Sequence, residues 1–178
     1  MFIQPTKGMN AMKAISATLL SAVLLTGCMS TSSGLDPVTS TSGFNQAKVV
    51  DIQPHGLSCK NACLSMGAQW QQENPDVVYL EIESPLMLMN IFSADLNIDG
   101  ETISLKPSQY MTNHEVNGYQ KTSSKVFVTT KGNFEKMMSA QRVWLRVKTN
   151  QGYVEDMFIE GETDTKAYHA MKRFMAAI

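Results

Sequence analysis

The heptapeptide Arg142-Val-Trp-Leu-Arg-Val-Lys148, RVWLRVK, alternates without a break. Successive side chains of a β-strand point to opposite faces, so Val143, Leu145 and Val147 share one face, and Arg142, Trp144, Arg146 and Lys148 share the other. One face is written for a core and the other for water, as in an antiparallel sheet solvated on one side. The same grammar extends in both directions. Thr149-Asn-Gln-Gly152 turns the chain, and Tyr153–Glu160 returns as a further strand. Upstream, Val77–Glu83 (VVYLEIE) puts Val78, Leu80 and Ile82 together, with Tyr79, Glu81 and Glu83 opposite. Phe92–Ile98 groups Phe92, Ala94, Leu96 and Ile98. Asp99-Gly100 then marks a tight hairpin into Glu101–Lys106. Ser124–Thr130 is rich in β-branched residues, and Lys48–Ile52 reads as an edge strand.

Two helices complete the pattern. Asn133 is placed to cap a short one over Phe134–Ala140, with Phe134, Met137 and Met138 facing a sheet. At the C-terminus, Asp164 is placed to cap a second, in which Ala167, Met171, Phe174, Met175 and Ile178 fall on one face of a 3.6-residue period. Lys172 and Arg173 near its end suit the helix dipole. The expected fold is α+β: a largely antiparallel, curved or sandwich-like sheet carrying a short helix and a C-terminal amphipathic helix.

The region before the strands has another character. Met9–Lys13 is short and basic, Ala14–Leu25 is uncharged and apolar, and small residues follow. These are the parts of a secretory signal peptide, too short to span a bilayer. Residues 1–8 add nothing to it, so Met9 or Met12 serves equally well as its start. Leu25-Thr-Gly-Cys28 closes the segment, and Ser30–Ser42 (STSSGLDPVTSTS) follows, a composition that cannot bury enough apolar surface to order itself. Leu25–Cys28 resembles the lipobox of bacterial lipoproteins. The resemblance implies a diacylglycerol on the Cys28 thiol, cleavage before Cys28 and acylation of the new N-terminus. Met29, rather than aspartate, follows the cysteine, which by the same resemblance implies the outer membrane, with the domain facing the periplasm. The division expected is a signal peptide over 1–27, a flexible tether over 28–45 and one globular domain over 46–178. The lipid on Cys28 makes the membrane the first partner.

Charge excludes one class of function. The whole chain carries a formal −1, and the signal takes away Lys7 and Lys13 but no acid, leaving the exported chain more acidic. With no basic block, it has no footprint for nucleic acid. Motifs for hydrolysis or phosphate binding are missing: there is no Gly-x-Ser-x-Gly, no His-Glu-x-x-His and no phosphate-binding glycine loop. No catalytic residues are assigned and no enzyme is expected. The ten methionines outside the signal are scattered, as core-filling residues are.

Two constellations remain. In Gln53–Gly67 (QPHGLSCKNACLSMG), Cys59 and Cys63 are the only pair left once Cys28 is acylated, and an oxidising periplasm favours a structural disulfide between them. The alternative is a copper-binding or thiol-redox site made from His55, Cys59 and Cys63. Soft thiolates and imidazole suit Cu(I), and the Cys-x-x-x-Cys spacing is similar to that of copper-delivery proteins of the thioredoxin-like Sco family. Pro54 and Gly56 oppose the helix that would align the three side chains, and no βαβ pattern surrounds them. Apart from that alternative, no cofactor is expected. The second constellation is Trp144 between Arg142 and Arg146 on a wet strand face, the composition of an interface hot spot. Tyr79 and Tyr153 extend it if their strands are neighbours. His114, in the polar run Tyr110–Tyr119, and His169, on the polar side of the last helix, read as solvated residues. The function expected is a non-enzymatic accessory domain, with an envelope protein or peptidoglycan as its partner.

Overall fold

The computed structural model describes residues 34–60 and 63–178. The segment expected to be a signal peptide, Cys28 and the first part of the expected tether lie outside the described residues. The strands are β1 (Val38–Thr41), β2 (Lys48–Gly56), β3 (Ser65–Gln71), β4 (Val77–Pro85), β5 (Ile91–Ile98), β6 (Glu101–Pro107), β7 (Asn113–Asn117) and β8 (Gln120–Thr130). Helix α1 (Lys131–Ser139) follows, then β9 (Arg142–Thr149), β10 (Gly152–Glu160), β11 (Thr163–Asp164) and α2 (Lys166–Ala177). All pairings are antiparallel, in the order β1-β2-β3-β4-β8-β6-β5-β9-β10-β11, with β7 on the free flank of β8. The mixed, sheet-dominated class read from the sequence is the class observed, and the sheet is not closed.

The alternating strands fold as written. Val143, Leu145 and Val147 are fully buried, as are Val78, Leu80 and Ile82. Each such side chain contributes roughly 1.5–3 kcal/mol relative to exposure. Strand β6 joins the two halves: residues 101–105 pair with β5, while Lys106 and Pro107 pair with β8. The Asp99-Gly100 turn has positive φ at both residues, +50° and +94°, as a tight hairpin turn requires.

Helix α2 packs on β2, β3, β10 and α1. It buries Ala167, Ala170, Met171 and Phe174, and Phe174 meets Phe134 of α1 edge to face at 5.6 Å. Its cap is Thr165 rather than Asp164. The Thr165 hydroxyl accepts from Tyr168 N and donates to Phe158 O, so one side chain serves the helix start and β10 together. Asp164 lies in β11 and pairs with His169 instead. Likewise Thr130, not Asn133, caps α1, and accepts from Asn133 N.

Three further expectations are corrected. The domain begins before residue 46, because Val38–Thr41 pairs with β2 as strand β1. A polar, exposed strand can add to an edge through backbone bonds alone, which composition does not reveal. Strand β2 is therefore covered rather than an edge. Phe92 is half exposed while Ile91 is buried, because the register slips between Ile91 and Ser93 and turns Phe92 out. Strand β3 (SMGAQWQ) had no strand signature. Gly67 explains its composition, since a Cβ there would lie 2.8 Å from Ile52 O and 2.9 Å from Pro54 N. Pro54 occupies an irregularity in β2 between Ile52 and His55, and β3 must be bare where it passes.

Candidate functional site

Strand β9 lies between β5 and β10, so its wet face is flanked by theirs. Arg146 is in register with Asp95 and Glu155, and Trp144 with Asn97 and Met157. The arginines are held by these neighbours. Arg142 Nε donates to Glu160 at 3.0 Å and its Nη1 to Asn97 Oδ1 at 3.0 Å, while Arg146 Nη2 donates to Asp95 at 3.2 Å. The Arg142 guanidinium lies 5.5 Å from the Trp144 ring centre, and that of Arg146 lies 5.4 Å from Tyr153. A groove of about 370 Å³ runs along this face, lined by Asp95, Asn97, Thr102, Glu155 and the three predicted residues Arg142, Trp144 and Arg146. Trp144 is partly buried, and its indole N–H is shielded with no acceptor among the described residues. Tyr153 extends the patch from β10. Tyr79 does not, because β4 pairs with β3 and β8.

Cys59 and Cys63 are paired at disulfide-bonding distance, their Cα atoms 4.2 Å apart. They close the β2–β3 loop, which a bond from Leu57 N to Leu64 O also zips. The loop docks on an aspartate of another strand. Asp156 of β10 is fully buried. It accepts from the Ser58 hydroxyl, Cys59 N at 3.2 Å, Leu64 N at 3.3 Å and Met157 N at 2.9 Å. A signal was present: Asp156 is two residues from Val154, which pairs with inward Val147. His55 lies on β2 opposite Met66, not on a helix, and its Nε2 is buried with no hydrogen-bond partner among the described residues. Bridged sulfurs offer no thiolate to a metal. Among the described residues no group of three or more His, Cys, Asp or Glu side chains could hold a metal ion.

A second buried charge also escaped the sequence reading. Lys125 stands on the inward face of β8, between Ser123 and Phe127. Its Nζ donates to Ile91 O at 2.9 Å and Tyr110 O at 3.0 Å. Burial lowers its pKa below the ordinary 10.5, because desolvation penalises the cation. Beside it, the Ser123 hydroxyl donates to Met87 O and receives Met89 N. His114 is not a loop residue: on β7, its ring nitrogens lie 2.9 Å from Ser123 Oγ and 3.2 Å from Asn90 Oδ1. His169 pairs with Asp164 at 3.1 Å. On the wet face of β4, the Glu83 carboxyl is pushed above its ordinary 4.5 by burial first and then by Glu81 and Glu115.

No protein-family model, no curated protein and no solved structure matches this chain.

Proposed function

We propose that this chain is an outer-membrane lipoprotein, anchored through Cys28, whose periplasmic domain binds another envelope component without catalysing a reaction. The sequence from Met9 to Met29 supports the anchor. The binding reading rests on one observation: the groove over β5, β9 and β10 holds Trp144 with an arginine on either side. An aromatic ring, two guanidiniums, two carboxylates, an amide and a hydroxyl can meet a ligand that mixes sugar-like faces with charged peptide, as peptidoglycan does, or a loop of an envelope protein. We read the sheet as curving toward a sandwich, because β6 passes from β5 to β8 and the β2–β3 loop reaches β10.

The test is capture of purified sacculi and of solubilised envelope proteins by the full chain. Trp144→Ala is expected to weaken capture by roughly 30-fold, the effect of about 2 kcal/mol at a hot spot. Tyr79→Ala should leave it unchanged. Equal capture by both variants would remove the groove from the reading. Anchorage is checked separately, since Cys28→Ala should move the chain out of the membrane fraction. The copper or thiol-redox alternative through His55, Cys59 and Cys63 needs a reduced pair. The buried Nε2 of His55, which has no hydrogen-bond partner among the described residues, is the observation on its side. A free-thiol count on protein purified without reductant decides between the two.

A further inference from the structure

The register sets His55, Met66, Ile82 and Lys125 in one row across β2, β3, β4 and β8. Because Lys125 bonds to Ile91 O and Tyr110 O, the loops around residues 86–90 and 108–112 meet at this end of the sheet. Their side chains are not those of ordinary loops. Leu86, Met87, Leu88, Tyr110 and Met111 are exposed, Tyr110 almost completely. Tyr119, at the turn of the β7–β8 hairpin beyond them, is fully exposed. Single exposed apolar residues need no explanation, but a cluster converging from three loops marks an interaction surface.

The loops are fixed from behind. Met89 N donates to Ser123 Oγ, Ile91 N to Thr112 Oγ1 and Asn90 N to Asn150 Oδ1, each at 2.9 Å. Leu86 is held at φ +73°, a region that a bulky side chain avoids. A rigid polar frame thus presents apolar side chains to the outside.

The point of chain entry names the occupant. Gly34 lies beside His55, its would-be Cβ 4.0 Å from the ring, so the chain joins the domain near this same row. Only six peptide steps separate Gly34 from Cys28. At about 3.6 Å each they reach no more than roughly 20 Å. The far end of β2, nine residues long, lies about 27 Å further off at ~3.4 Å per step. There the β1–β2 turn carries exposed Phe44. We infer that the end bearing Leu86, Met87, Leu88, Tyr110, Met111 and Tyr119 rests in the lipid surface to which Cys28 is anchored. The leucines and methionines enter the acyl boundary, and the tyrosines lie at headgroup level. The inference rests on the reading of Cys28 as lipidated. It adds an orientation, with the β1–β2 turn farthest from the bilayer.

The test uses the full chain in vesicles of phosphatidylethanolamine with a minor share of phosphatidylglycerol. Met87→Cys, Tyr110→Cys and Phe44→Cys are each labelled with an environment-sensitive fluorophore, and lipids with nitroxides on the acyl chains serve as quenchers. Labels at 87 and 110 should shift to the blue and be quenched several-fold more than the label at 44. If all three stay wet on a chain whose intact mass shows acylated Cys28, the inference is overturned and the anchor stands. Labels at 87 and 110 that are shielded but not quenched by lipid indicate a protein contact and also overturn it. If the mass shows an unacylated chain, the reading of Cys28 fails. Quenching at 87 and 110 by added vesicles then still upholds the surface, and wet labels reject it.

Discussion

Asp156 and Lys125 are two charges on the inward faces of two strands, and the fold treats them differently. Asp156 is an anion met by four donors, three of them from the loop that the Cys59–Cys63 pair closes. Lys125 is a cation met by two backbone carbonyls. Neither has an opposite charge against it among these partners. Both organise loops that carry backbone groups in need of bonds, N–H groups in one case and C=O groups in the other. A buried charge that satisfies several backbone dipoles can be tolerated where an unpaired one cannot. The contrast lies in completeness. Asp156 is met by four donors and so reads as structural, while Lys125 is met by two carbonyls and has its pKa lowered by burial.

The sharpest way to break this comparison is Asp156→Ala. It would leave Cys59 N, Leu64 N and the Ser58 hydroxyl without their acceptor, and should cost about 3–4 kcal/mol in urea unfolding. A loss under 1 kcal/mol would mean that the loop rearranges and the anion is dispensable. Replacing both Cys59 and Cys63 by serine should cost less, about 2 kcal/mol. Closing so short a loop restrains little of the unfolded chain, and Asp156 still holds it in the native state. If the bridge proved worth more than Asp156, the order of the two restraints would be reversed.

Lys125→Met should have the smallest effect at neutral pH, a loss of about 1–2 kcal/mol, because the carbonyls it orphans are offset by removal of a desolvated charge. Its signature is the pH dependence. The unfolded chain holds the Lys125 proton up to about pH 10.5, whereas the folded chain releases it earlier. Between those two pKa values the unfolded state binds more protons, so Lys125 makes stability rise with pH, and falling pH removes that gain. Unfolding curves from pH 8 upward should show this slope in the native protein and a shallower one in Lys125→Met.

Much of the scaffold was legible locally. Val143-x-Leu145-x-Val147 and Val78-x-Leu80-x-Ile82 each state which side faces the core. Asp99-Gly100 states its turn, and the face Ala167, Met171, Phe174 states its helix. The grouping of Arg142, Trp144 and Arg146 along one groove was legible too, because the alternation that buries Val143, Leu145 and Val147 places them together. Phe92 was misread because a slip of register changes the face of a side chain without changing the composition around it. Strand β3 was missed because its residues answer to the backbone of β2, not to their own propensity.

The sequence by itself determined the antiparallel, two-faced character of the strands, the C-terminal helix and the lipobox-like segment, because each is written in neighbouring residues at a period of 2 or 3.6 or as a contiguous motif. Tertiary structure alone decided that β4 pairs with β8, that Asp156 turns inward to hold a loop nearly a hundred residues upstream, and that apolar loops gather where the chain enters. Those outcomes depend on which distant backbone groups are left needing a partner once the sheet has formed.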